Sequence, residues 1–229
     1  MRRTILSLPA LALLAACNVS SGNDQSAENR NAAAPATTHF VNSRENARSA
    51  QLRDHYADFS FDYPARWSVT PQPTDGSARN YVRVVAPMIM GYEPYAVMVG
   101  FAYGTGDSAR DRASIEGGTL DLAGRFGASF EEYRIVSAGP ARVGPYESYG
   151  WRFTASAPGL REGEPRVRIY GRGDIVLPPG ATRGITLVTL ATSRADDVHS
   201  PADVGEAGVL KAVLDSFRLA PGGEGSGAK

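Results

Sequence analysis

Few side chains in these 229 residues could do chemistry: one cysteine, three histidines, and acids of which only Glu131-Glu132 and Asp196-Asp197 are neighbours. A thiol is a nucleophile and a soft metal ligand. Cys17 is single, however, so no disulfide, thiol redox pair or multi-thiolate metal site can be assembled. His39, His55 and His199 are far apart in the chain, and no Gly-x-Ser-x-Gly elbow is present to hold a nucleophile beside an imidazole. Asp196, Asp197 and His199 offer oxygen and nitrogen ligands, but directly ahead of a helix start they read more simply as capping charge. Asp54-His55 is a still weaker pair. Glu131-Glu132 are neighbours, whereas glycosidic carboxylates face each other from separate elements, so a solvated loop is expected there. Gly171-Arg172-Gly173-Asp174 contains both Gly-x-Gly and Arg-Gly-Asp. It precedes no helix, so it is not expected to cradle phosphate, and both short strings read as chance in a chain with 25 glycines. No enzyme, no metal site and no cofactor are expected.

The run Ala86-Pro87-Met88-Ile89-Met90-Gly91-Tyr92-Glu93-Pro94-Tyr95 is more informative. Adaptable methionines recur at binding surfaces, and loops on a rigid sheet often carry function. Met88, Met90, Tyr92 and Tyr95 are therefore the candidate binding residues. The alternative is a loop that folds over the sheet and completes the core.

The N-terminus carries the clearest address. Arg2-Arg3 precede an apolar run from Ile5 to Leu14, and Ala15-Ala16 provide small residues for a peptidase, which is the pattern of a secretory signal over residues 1–16. The run is about half of the roughly twenty residues a spanning helix needs. Leu14-Ala15-Ala16-Cys17 resembles the lipobox of bacterial lipoproteins. The resemblance implies a diacylglycerol on the Cys17 thiol and an acylated amine, and two or more chains suffice for stable anchoring. Residue 18 is Asn, not the Asp associated with inner-membrane retention, which implies the periplasmic leaflet of the outer membrane in a two-membrane organism.

Composition then sets limits. Lys+Arg and Asp+Glu each number 24; loss of Arg2 and Arg3 leaves 22 against 24, or −2. A near-neutral chain has no nucleic-acid footprint. Twenty-two of the basic residues are Arg, as a GC-rich genome would give. Residues 17–50 contain the Cys and then a stretch rich in Asn, Ser and Ala, too poor in large apolar residues to offset backbone entropy. They read as a disordered tether. Residues 51–220 form one domain, long enough to bury on the order of 70% of its unfolded surface without a staple, and the Gly-rich residues 221–229 read as a disordered tail.

Within the domain, apolar residues alternate over short stretches, as in strands with one buried face. Phe59, Phe61 and Tyr63 alternate before a Pro64–Arg66 turn and then Trp67 and Val69, which suggests a hairpin. Further strands are expected at 81–86, 95–103, 133–138, 146–155, 166–170 and 185–192, separated by turns such as Gly144-Pro145 and Pro178-Pro179-Gly180. Trp67 and Trp151 read as core anchors, Trp151 sharing a strand face with Tyr149 and Phe153. A helix over 108–126 starts at Asp107 or Ser108 despite Gly117-Gly118. A second is expected from a Ser200 cap with Pro201 in its first turn, using Ala207, Leu210, Leu214 and Phe217 as its apolar stripe.

The string Phe59-Ser60-Phe61-Asp62-Tyr63-Pro64-Ala65-Arg66-Trp67-Ser68-Val69 resembles the opening of domains similar to PsbP, the extrinsic subunit of photosystem II. Val213-Leu214-Asp215-Ser216-Phe217-Arg218-Leu219 is similar to their closing helix and Ser-Phe segment. The resemblance implies an α+β fold: an antiparallel sheet of about six or seven strands flanked by helices in an α/β/α sandwich. It brings no catalytic residues. The functional expectation is a membrane-anchored, non-catalytic envelope lipoprotein that presents its Met- and Tyr-rich loop to an envelope protein partner. The alternative is a small-ligand carrier with an apolar pocket between sheet and helix.

Overall fold

Alternating apolar residues produce strands nearly everywhere the pattern occurs, and backbone pairing sorts them into two sheets. A computed structural model describes residues 36–44, 56–71, 80–159 and 163–220, all within one unit spanning Pro35–Lys229. The expected leader, Cys17, His55 and the tail lie outside the described residues. In chain order the elements are β1 (Thr37–Asn42), β2 (Phe59–Pro64), β3 (Ser68–Pro71), β4 (Asn80–Val85), β5 (Tyr95–Tyr103), α1 (Ser108–Gly127), β6 (Glu131–Val143), β7 (Tyr146–Ala157), β8 (Val167–Val176), β9 (Arg183–Thr192), α2 (Gly208–Ser216) and β10 (Arg218–Leu219). A seven-stranded antiparallel sheet runs β3-β4-β5-β9-β8-β7-β6, and a smaller sheet runs β1-β2-β10. The fold is α+β.

After β5, α1 carries the chain towards the far edge, and β6 to β9 meander back until β9 pairs with β5 along Tyr95↔Ala191 to Tyr103↔Arg183. The period-two side-chain rule gives the large sheet two distinct faces. One buries Trp151, Phe153, Ile169, Ile175 and Val188 against Ala123, Leu122 and Phe126 of α1. The other buries Val82, Val84, Val97, Val99, Ile185 and Leu187 under Phe59 and Phe61 of the small sheet and Leu210, Val213, Leu214 and Phe217 at α2. Phe217 stacks on Phe59 at 5.6 Å and on Phe61 at 6.2 Å, tying the last helix to the small sheet.

Several expectations are corrected. Residues 37–42, read as part of the tether, form β1 and pair with β2 from Thr37↔Pro64 to Asn42↔Phe59. Phe40, the one large apolar side chain among them apart from Val41, packs on Phe61 at 5.3 Å. Strands β2 and β3 do not form a hairpin, because the turn at Pro64 passes the chain from one sheet to the other. Strand β8 does not stop at Tyr170 but continues through Gly171–Val176. The last helix starts at Gly208 with no side-chain cap, Ala207 standing at the N-cap position, since Gly205 and Gly208 both adopt positive φ and break the expected first turns. Ahead of it, Asp203 accepts the backbone N–H groups of His199 (3.0 Å) and Ser200 (2.8 Å) in a separate turn.

The glycines of β8 have a packing reason. Phe153 lies opposite Gly171 and Trp151 opposite Gly173 in the β7–β8 register. A Cβ at Gly171 would fall 2.0 Å from the Phe153 ring, and one at Gly173 would fall 2.2 Å from Trp151. Both rings lie flat over backbone that only glycine leaves bare. Gly173→Ala should therefore destabilise the fold by about 1–3 kcal/mol through overpacking, read as a lowered urea midpoint with an unchanged slope.

The start of α1 matches its expected cap: the Asp107 carboxylate accepts N–H bonds from Ala109 and Arg110 at 3.0 and 3.1 Å. One turn on, buried Asp111 accepts from the Thr105 backbone N–H (2.8 Å), the Thr105 hydroxyl (2.8 Å) and the Gly106 N–H (3.1 Å). These donors, led by the Thr105 N–H, hold the Asp111 carboxyl below its ordinary value. A depressed folded-state value means that its contribution is complete above the unfolded pKa of about 3.9 and disappears as pH falls through the folded value. Asp111→Asn should flatten this part of the acid limb in a stability–pH profile while leaving the neutral-to-alkaline shape intact.

Candidate interaction surface

The Met- and Tyr-rich segment links β4 to β5 as a tight hairpin. Ile89 and Tyr92 exchange both backbone hydrogen bonds (2.7 and 3.1 Å), with Met90 at φ 49° and Gly91 at φ 80° between them. Two central residues at positive φ make this a type I′ turn, in which Asn-Gly is the unstrained choice. Met88 is 68% exposed, Ile89 47% and Met90 72%. The loop therefore does not fold over the sheet to complete the core.

The root of the hairpin is braced on three sides. The Tyr92 hydroxyl donates to the Pro158 carbonyl, and the Arg83 guanidinium pairs with the Glu93 carboxylate. The Thr192 N–H donates to Pro94 O at 2.9 Å, and its hydroxyl donates to Glu93 O at 3.1 Å. Tyr95 belongs to this base rather than to the tip. Its ring stacks on Trp67 at 5.8 Å and its hydroxyl donates to Asp197. Burial first, and then that hydrogen bond, push the Tyr95 phenol upward, so it stays a neutral donor. Of the four candidate residues, Met88 and Met90 thus form the exposed tip, Tyr92 its shoulder and Tyr95 its foundation.

The acids singled out in the sequence have other tasks. Asp197 holds Tyr95, so its role is not capping of the final helix. Glu131 and Glu132 are not in a loop; they open β6, with Glu132 at φ 52°, and face Arg166. His39 Nδ1 pairs with Asp62 at 2.6 Å on an exposed surface. Among the described residues no group of three or more His, Cys, Asp or Glu is placed to hold a metal ion.

Sequence reasoning missed the most heavily buried charges. Arg172 donates to Asp174 through Nε (2.8 Å) and Nη2 (3.1 Å), and Nη2 also donates to the Arg142 carbonyl at 2.6 Å. Arg172 Nη1 reaches Glu206 at 3.3 Å, and Ser148 donates to Asp174 at 3.0 Å. Arg152 adds bonds to the carbonyls of Pro201 (2.5 Å) and Val204 (3.0 Å). Burial pushes the Asp174 carboxyl up while the Arg172 charge opposes the shift. This network borders a cleft of about 370 Å³ beside β6. Two like-facing charges in an alternating strand, Arg172 and Asp174, were the available signal.

A second depression, about 740 Å³, lies between the start of α1 and the β6–β7 hairpin, with Tyr146, Tyr149, Ile115 and Ile175 in its walls. Arg112 and Glu147 face each other at its rim at 3.6 Å. It is an open trough rather than an enclosed cavity.

The architecture is that of a PsbP-like domain. The cyanobacterial PsbP (CyanoP) of Synechocystis sp. PCC 6803, a solution structure, is similar over 83% of this chain and 96% of its own, with a TM-score of 0.51 and 10% identity. The crystal structure of LpqN, a protein involved in cell envelope biogenesis of Mycobacterium tuberculosis, aligns over 81% of this chain and 92% of its own, with a TM-score of 0.42 and 14% identity. At such identity the likeness to CyanoP establishes the fold. No protein-family model matches the chain. No curated protein matches it either.

Met90 occupies a left-handed conformation that non-glycine residues other than Asn and Asp rarely adopt. Met90→Asn should therefore raise stability by about 0.5–1 kcal/mol, measured as an upward shift of the urea midpoint.

Proposed function

We propose that this chain is a non-catalytic interaction module of the cell envelope, anchored to a membrane by lipid on Cys17, whose PsbP-like domain offers the β4–β5 hairpin tip as its contact surface. One observation carries the reading: three consecutive large apolar side chains, Met88 to Met90, stand in solvent on a hairpin whose base is hydrogen-bonded into place. Solvent gains nothing from such a tip, and the turn would be less strained with Asn or Gly at position 90. Strain retained at an exposed position points to use.

The small-ligand carrier remains a second reading, and the trough of about 740 Å³ beside α1 is the observation that favours it. An enclosed apolar cavity would fit a carried ligand better, and both faces of the large sheet are filled by side chains.

The anchoring is tested on the native protein. Mass spectrometry should find acylated Cys17 as the first residue, and fractionation of a two-membrane host should recover the protein with the outer membrane. An intact leader, an unmodified thiol or recovery in the soluble fraction overturns the anchoring.

A further inference from the structure

Three features of the hairpin point to its partner. First, it carries no charge: from Val84 to Tyr92 every residue is neutral, and Arg83 and Glu93, which bound that stretch, neutralise each other. A protein docking site normally carries a polar rim that fixes orientation, whereas the exposed side chains of this tip, Met88, Ile89 and Met90, are all apolar. Second, it is pre-formed, so contact requires no ordering of the loop.

Third, the hairpin and the N-terminal end of the domain share one end of the fold. The Ala65 N–H donates to Ala36 O at 2.8 Å, which places the start of β1 beside the Pro64–Trp67 turn. Trp67 stacks on Tyr95, and the Tyr95 carbonyl accepts the Ala86 N–H at 3.0 Å at the hairpin root. Ser68, next to Trp67, pairs with Val85, the last residue of β4. Ala36, the first described residue on the Cys17 side, therefore lies at the end of the fold from which Met88, Ile89 and Met90 project. Only 19 residue steps separate Ala36 from Cys17.

We infer that the Met88–Met90 tip dips into the interface of the lipid bilayer that holds the Cys17 anchor. The inference rests on the anchoring proposed above and names the partner of the same surface. Three apolar side chains bind a membrane weakly, but an anchored domain meets that membrane at high effective concentration, so a weak contact suffices to orient it. Because the tip is uncharged, salt should not release it. The observations favour the bilayer over the envelope protein expected from sequence.

The test uses the full-length lipoprotein carrying Met88→Cys. Acylation occupies Cys17, so the introduced thiol alone accepts an environment-sensitive fluorophore. In vesicles of phosphatidylethanolamine and phosphatidylglycerol, emission from position 88 should shift to the blue and brighten several-fold. Brominated phosphatidylcholine should quench it, and high salt should leave it unchanged. A label at Ser114→Cys, exposed on the first half of α1 at the opposite end, should show none of this. Adding Ile89→Asp to the Met88→Cys protein should abolish the shift while the circular dichroism spectrum stays native.

An unshifted, unquenched label on protein whose Cys17 is shown to be acylated overturns the insertion and leaves the anchoring intact. A photocrosslinker at position 90 that captures a protein and no lipid in native membranes also overturns it. Labelling at residue 17 itself overturns the anchoring, and with it the basis of the inference.

Discussion

The fold depends on a strand that must be buried on both sides. β8 sits near the middle of the larger sheet, and its two faces meet different layers through alternating residues. Towards α1 it presents Gly171 and Gly173, whose bare backbone receives the Phe153 and Trp151 rings. Towards α2 it presents Arg172 and Asp174, two charges in a nearly dry layer. A buried ion pair of this kind contributes little net stability over an apolar pair, because desolvation offsets the attraction. Its value lies in direction. The guanidinium also reaches the Arg142 carbonyl at the end of β6 and Glu206 ahead of α2, so one side chain fixes a strand edge and the approach to the last helix.

From that fixed point the other layers follow. Arg152 holds the carbonyls of Pro201 and Val204, which sets where α2 begins. The helix then delivers Leu214 and Phe217 onto Phe59 and Phe61, and Tyr146 bonds Leu219 at 2.9 Å to close the small sheet. The polar network specifies position and the aromatic cluster supplies burial, each Phe being worth roughly 1.5–3 kcal/mol of transfer free energy. The hairpin tip takes no part in either. It is the segment whose composition the fold does not dictate, and there the sequence departs from the unstrained turn choice.

Most strands were legible because their alternation is local. The cap at Asp107, the core tryptophans and the aromatic β2 were legible for the same reason. What alternation cannot reveal is which sheet a strand joins. Phe59 to Tyr63 looks like half of a hairpin until Trp67 must reach Tyr95, on the other sheet. β1 was hidden by the opposite problem: Thr37 to Asn42 is mostly exposed, and its order comes from pairing with β2, a long-range gain invisible in its composition. Gly171 to Asp174 was misread because glycine and charge both argue against a strand locally. Only the rings on β7 and the partners of Arg172 make those residues necessary. For the candidate surface, the sequence indicated Met88 and Met90 but could not separate a tip from a lid, since that depends on whether the turn points away from the sheet.

The order found in β1 bears on the proposed anchoring. A tether reaching to residue 50 would have about 33 residues and an rms span near 30 Å, enough to let the domain tumble freely above a bilayer. With β1 spanning Thr37–Asn42, the tether proposed above is shortened to the residues ahead of β1. Since effective concentration rises as a linker shortens toward the distance it must bridge, each residue that β1 takes from the tether strengthens any contact between the membrane and the end of the domain it leaves from. On this reading, the same pairing of β1 with β2 that completes the small sheet also brings the apolar hairpin within reach of lipid, so that a surface too small to bind a membrane alone becomes sufficient to orient the domain on one.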